Sequence, residues 1–256
     1  MLTSIVPPIQ YRLGIHALMH PEMEITTFYS GRHPSEIPLY SQSAVAYAVR
    51  VLPSTLRRWL LPLAGQHPEG YGEPLIVAPK GPYGYLSFVN MAEAFMVAEL
   101  RRKASVSMTN IRRAVWYLRN EMGEPRPLLN ERLLAGSEIY LEESNERLIS
   151  LSRTGQYVFE KVVRDYINRI EIDQSGLPER IFPWVLNTEN KSVMITPRIR
   201  FGKPVVSGTG IMTSSIHERF EAGETIEAIA ESYAIKPDWV DDALAYETSP
   251  RSRLLR

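Results

Sequence analysis

The sequence predicts a mainly helical α+β protein: an N-terminal winged helix-turn-helix, a small α+β middle unit and a C-terminal three-helix module. Three observations predict it. Two short apolar helical stripes meet at a tight turn between Ala44 and Leu60. A stretch rich in glycine and proline, with room for one strand, follows them. After Lys203 come three short helical stretches separated by turn residues. At 256 residues the chain exceeds the ~100–200 residues of an ordinary domain, so several small units are expected. Hydrophobic residues make up 44% and charged residues 23%, a globular composition that excludes a wholly disordered, collagen-like or coiled-coil chain.

Residues 1–38 read as an N-terminal extension with one short strand around Ile25–Tyr29. Residues 39–127 form the winged helix-turn-helix. Its first helix carries Ala44, Val45, Ala48 and Val49, with Ser41 or Ser43 as the N-cap, and Pro53-Ser54-Thr55 opens a second through Leu56, Trp59 and Leu60. Between Pro62 and Gly84, 10 of 23 residues are glycine or proline, which predicts a wing or exposed loop with its single strand at Pro74–Pro79. Helices follow over about Phe88–Lys103 and Thr109–Met122, the second with Ile111, Ala114, Val115, Leu118 and Met122 on one face and Gly123 as its stop. Residues 128–190 form the middle unit. It holds a hairpin over Leu133–Ser152, a helix through Val158–Ile167, and a second hairpin from Arg169 through the Gly176 turn to Phe182. Residues 191–248 form the C-terminal module, with helices near Ser214–Ala222, Ile226–Tyr233 and Pro237–Tyr246, and 249–256 form a basic tail.

Net charge is zero, but it is unevenly spread. Ser35–Pro127 carries +4, Leu128–Leu186 −3, Asn187–Thr248 −4 and the tail +3, so the two halves of the chain suit different partners. With no cysteine there is no disulfide scaffold, thiolate zinc site or cysteine nucleophile. No apolar run approaches the ~18 residues of a membrane span, and the first residues lack a signal-peptide pattern, so a cytoplasmic protein with no membrane partner is expected. Enzyme signatures are missing as well. His16 and His20 have a ligand-like spacing but are followed by Pro21 and have no carboxylate between them. Gly208-Thr-Gly210 lacks the third glycine of a dinucleotide loop, since Thr213 stands there. Asp238, Asp241 and Asp242 fall in the first turns of a helix, where carboxylates complement the dipole rather than a cation. Neither catalysis nor a cofactor or metal is expected.

The strongest local signal is Tyr40 to Trp59. Two short helices joined by a tight turn, the second opening with Ser54 and Thr55 and carrying Arg57 and Arg58, have the layout of a DNA-binding helix-turn-helix. Such a helix offers hydroxyls and N-terminal N–H groups to a phosphate and guanidinium forks to base edges. Opposite the apolar stripe of the Thr109–Met122 helix stand Arg112, Arg113 and Arg119. Together with the +4 balance this predicts a phosphate-facing side, with Arg112 and Arg113 as backbone contacts. The block resembles the helix-turn-helix of MerR-type regulators, matching their first-helix alanine at Ala46 and their Leu-Arg-x-aromatic run at Leu56-Arg57-Arg58-Trp59. Arg50 stands where such turns usually carry glycine, which predicts a different turn geometry.

A second resemblance lies at the other end. Ile199-Arg-Phe-Gly-Lys-Pro-Val-Val-Ser-Gly-Thr-Gly-Ile211, then Ile226-Glu-Ala-Ile-Ala230, Tyr233 and Val240–Tyr246, is similar to the homeodomain-like module of unknown function 433 that recurs in VapB-type antitoxins. Gly210 replaces the arginine often found there. The stretch Leu86–Leu118 resembles longer members that join this module to an N-terminal helix-turn-helix, so the likeness runs from about Tyr40 to Tyr246. It implies an antitoxin that binds double-stranded DNA at its own promoter, represses its operon and neutralises a PIN-like ribonuclease toxin. An acidic segment carrying Asp238, Asp241 and Asp242 would repel phosphates. DNA is therefore assigned to the N-terminal half, and toxin contact or homodimerisation to the C-terminal module, with Trp239 expected to be covered by the middle unit or a second subunit. The alternatives are a stand-alone transcription regulator whose middle unit senses a ligand, and a protein-interaction adaptor.

Overall fold

The computed structural model describes residues 31–63, 72–81, 84–103, 107–129, 168–183 and 190–248. The expected strand at Ile25–Tyr29, the hairpin over Leu133–Ser152, the helix through Val158–Ile167 and the basic tail lie outside them.

Helix α1 (Gln42–Ala48) starts where Ser41 Oγ accepts from Ala44 N, and it buries Val45, Ala46 and Ala48. Helix α2 (Pro53–Leu60) opens on a proline, whose missing N–H is one that a helix start leaves unpaired anyway. Its Leu56 and Trp59 are buried in the same core. Helix α3 (Phe88–Lys103) is buried on all sides from Phe88 to Leu100, as befits a helix apolar around its whole circumference. At its start Ser87 Oγ accepts from Asn90 N (3.2 Å) while Asn90 Oδ1 accepts from Ser87 N (3.1 Å), a reciprocal cap. Helix α4 (Met108–Asn120) is capped by Ser107, and its chain turns away at Gly123, φ 67°.

The stretch read as a wing strand is not one. Among the described residues, 72–81 is irregular, with Leu75 and Ile76 buried in the core and Ile76 N donating to Trp59 O at 3.1 Å. Pro74 and Pro79 have no N–H for a ladder, and the carbonyls of residues 73–75 are taken by arginine side chains described below.

Strands β1 (Ile170–Ile172) and β2 (Pro178–Ile181) form the expected second hairpin, antiparallel, its turn closed by Asp173 Oδ1 accepting from Ser175 N and Leu177 N. Strands β3 (Val193–Met194) and β4 (Val205–Val206) form a second antiparallel pair. Ile181 and Ile195 exchange backbone hydrogen bonds of 2.9 and 2.8 Å and so join the two ribbons. Ile170, Ile181 and Ile195 enter the core that α1 to α4 enclose.

Helix α5 (Thr213–Glu221), helix α6 (Ile226–Tyr233), capped by Thr225, and helix α7 (Pro237–Thr248) enclose a second core of Val206, Ile216, Ile229, Val240 and Leu244. Trp239 is half-buried against this core. Asp242 of α7 is also buried, accepting from Ser192 Oγ at 2.5 Å, which ties the helix to the segment before β3.

Candidate nucleic-acid interface

Spacing on α2 decides which of its polar residues can share a face. Ser54, Arg57 and Arg58, three and four residues apart, are all exposed on the side opposite Leu56 and Trp59. Thr55 was expected with them, but it is buried, and its Oγ1 accepts from Arg58 Nη2 at 3.5 Å. The threonine orients an arginine instead of offering its hydroxyl to solvent.

Arg112 corrects the sequence reading most plainly. Expected on an outward phosphate face, it is only 7% exposed. Its Nη1 donates to Glu73 O at 2.7 Å and its Nη2 to Arg58 O at 3.0 Å, so one guanidinium ties the end of α2 to the 72–81 segment. Burial draws its pKa below the usual arginine value. One face of α4 on, Arg119 donates to Pro74 O and Leu75 O, both at 3.2 Å. These carbonyls have no strand partner, and a guanidinium with five donors satisfies them better than water could in a half-buried groove. Arg113 is half-buried.

The turn between α1 and α2 also differs from expectation, in the opposite sense. Arg50 takes φ 57°, the left-handed conformation that a glycine would supply, so the turn keeps its geometry without the glycine. Its guanidinium lies 4.5 Å over the ring of Tyr246 in α7, and Nη2 donates to Tyr246 O at 3.0 Å. Tyr246 Oη in turn donates to Ala48 O at 3.3 Å, and its ring meets Tyr47 edge-on at 6.2 Å. Tyr47 Oη donates to Glu247, which also accepts from Thr213 Oγ1 at 2.5 Å. Burial draws the Arg50 pKa down, opposed by Tyr246, Tyr47 and Glu247. Close by, Gly202 packs directly on the Tyr40 ring. The last turn of α7 is thereby seated on the helix-turn-helix.

Two buried acids on α3 escaped the sequence reading. Glu93 is fully enclosed, and burial pushes its carboxyl up to about 7 against the Asn90 Nδ2 bond (3.0 Å) and the charges of Arg126 and Arg119. Glu99 is paired with Arg102. The signal was there in Met91-Ala-Glu-Ala-Phe-Met-Val-Ala-Glu99, where acids stand in a helix apolar on every side.

On the C-terminal module Asp238 and Asp241 are exposed, as are Glu218, Glu221, Glu227 and Glu231, while Asp242 is not. Lys236 Nζ lies 6.0 Å from the Trp239 ring, and Arg219 is taken up by Glu224 and Ser232. Gly208-Thr-Gly210 is a turn after β4, closed by Thr209 Oγ1 donating to Val206 O at 2.8 Å. Among the described residues no three histidine, aspartate or glutamate side chains are placed to hold a metal ion, and no helix is long and apolar enough to cross a membrane.

Residues 38–115 match the family described as "Putative DNA-binding HTH domain", and residues 193–246 match "Protein of unknown function (DUF433)". A Mycobacterium tuberculosis protein described as "Putative antitoxin VapB45" is 30% identical over 227 residues, covering 82% of this chain and 93% of that protein. The chain belongs to the VapB-type antitoxin family. The crystal structure of Rv2018 from Mycobacterium tuberculosis is similar too, at 26% identity and a TM-score of 0.61, covering 82% of this chain and 98% of that one. In this VapB-type chain the helix-turn-helix match takes in all of α1, α2 and α3, and the second match ends at Tyr246. The two matched regions therefore meet at the Arg50–Tyr246 contact.

Proposed function

We propose that the chain is a DNA-binding antitoxin that acts without catalysis, represses its own operon and neutralises a PIN-like ribonuclease toxin. The observation that carries the DNA half is the outward face of α2. Ser54, Arg57 and Arg58 stand free of the core on a helix that Leu56 and Trp59 fix from behind. A helix of eight residues is about 12 Å long, short enough to lie in a major groove of similar width. Arg57 and Arg58 reach base edges or phosphates, Ser54 meets a phosphate at the helix start, and Arg113 adds a contact from α4. Arg112 and Thr55 act one step back, holding the end of α2 and the Arg58 side chain.

The partner half rests on charge. Asp238 and Asp241, with the exposed glutamates of α5 and α6, make the C-terminal module unfit for phosphates and suited to a basic protein such as an RNA-cleaving toxin. Two copies of the chain reading two half-sites about one helical turn apart would give the operator its symmetry.

The test is Arg57→Ala with Arg58→Ala, titrated by fluorescence anisotropy against the protein's own promoter at fixed salt. Each lost fork removes ~1–3 kcal/mol of specific binding, so affinity for the promoter should fall at least about thirtyfold while the fold is kept. Unchanged affinity removes α2 from the interface.

A further inference from the structure

We infer that Arg50 is a positioning residue for DNA binding: seated on Tyr246, it lets the C-terminal module hold the turn that sets α2 against α1. The inference rests on the DNA-binding reading of α2 given above.

The turn needs a positive φ, and Arg50 supplies it at 57° without being glycine. L-residues with a side chain avoid this region, and they persist there where their surroundings fix them from several sides. Local bonds are part of the fixing: Arg50 N donates to Tyr47 O at 3.1 Å, and Val51 N to Ala46 O at 2.9 Å. The rest comes from a residue 196 positions away in sequence, where Nη2 reaches Tyr246 O and the guanidinium covers the Tyr246 ring.

The choice of acceptor has a reason. Tyr246 lies in the last turn of α7, and the residue four further on is Pro250, which has no N–H to close the helical bond. A cation there satisfies an orphan carbonyl and complements the helix dipole. The seat is also reciprocal. Tyr246 Oη donates to Ala48 O and Tyr47 Oη to Glu247, so α7 grips the two residue positions just before the turn as Arg50 grips α7. Glu99 and Arg102 face the same junction from α3, where the Arg50 and Arg102 charges oppose each other. Three residues past Arg50, α2 begins. Loosening α7 should therefore swing the Arg57–Arg58 face, although α7 has no place in the groove.

A thermodynamic cycle on the full chain tests this. Tyr246→Leu is made in the native background and in R50G, where glycine adopts the turn unaided. Each protein is titrated against a labelled duplex carrying the sequence directly upstream of its own reading frame, and amide hydrogen exchange at Val51 is followed without DNA. With Arg50 present, Tyr246→Leu should weaken duplex binding about tenfold and speed Val51 exchange. With R50G, where only the Tyr246 Oη bond to Ala48 O is left to lose, the same substitution should change both by clearly less than it does with Arg50 present. Equal effects in both backgrounds, including a general unfolding of the module, overturn the inference while leaving the α2 reading intact. A native chain that binds no duplex at all overturns the α2 reading and the role of Arg50 in it.

Discussion

Arg112→Ala separates two roles that look alike in the sequence. If the side chain met a phosphate, its loss would leave stability unchanged and lower the slope of log affinity against log salt by ~0.9. As placed, the guanidinium instead donates to Glu73 O and Arg58 O at 2.7 and 3.0 Å from a buried position. Hydrogen bonds from a charged donor are worth ~1.5–3 kcal/mol each. The Glu73 position is exposed, so water recovers part of one of them. The expected cost is about 2–4 kcal/mol, a fall in Tm of roughly 5–12 °C for a chain of this size. Urea or thermal unfolding reads the first quantity, and promoter titrations at several salt concentrations read the second. Arg112→Lys keeps the charge without the two-pronged geometry and should recover less than half of the stability. A variant with native stability and a salt slope reduced by ~1 would refute the brace and return Arg112 to the DNA surface.

Glu93→Gln should change the pH dependence of stability. The folded carboxyl titrates at about 7 against 4.5 for the ordinary group, so the folded chain holds a proton that the unfolded chain releases between those values. Its contribution is present below about 4.5 and is lost as pH rises through 7, a change on the order of 3 kcal/mol. Urea midpoints from about pH 5 to 8 should fall for the native chain and stay level for the glutamine variant; parallel curves would assign the slope to another group. Gly202→Ala would place a Cβ 2.2 Å from Tyr40 Oη at φ 73°, and about 2–4 kcal/mol of stability should go. Adding Tyr40→Phe should restore only part of it, because ring carbons at 2.5 and 2.7 Å remain; full restoration would mean that the hydroxyl alone sets the fit.

What could be read from the sequence was what is decided locally. The cap at Ser41 and the spans Phe88–Lys103 and Ile226–Tyr233 agree with the structure because a helix start depends on residues within four positions of it. The outward pair Arg57 and Arg58 was legible for the same reason, since Leu56 and Trp59 fix the inward side. Misplaced residues were polar ones whose direction is set from far away. Amphipathic reasoning sends a cation or carboxylate to solvent, yet Arg112 turns in toward unpaired carbonyls and Asp242 toward the Ser192 hydroxyl. The apolar run at Leu75–Val77 reads as a strand, but no neighbouring strand among the described residues takes its bonds. At Arg50 the local preference for glycine was overruled by a contact made by a different module.

The paired ribbons bear on where this chain can be cut. Composition places a natural boundary near Leu186, between the hairpin and the C-terminal module. The hydrogen bonds between Ile181 and Ile195 run across that boundary. A fragment ending there would keep β2 but strip it of its neighbour, leaving the N–H and C=O of Ile181 facing water on an open edge beside the apolar Phe182 and Ile170. Such an edge is a template for pairing with another copy of itself. The shorter fragment would therefore be prone to self-association of a kind that the whole chain prevents, and a gel shift made with it would report aggregation as readily as operator binding.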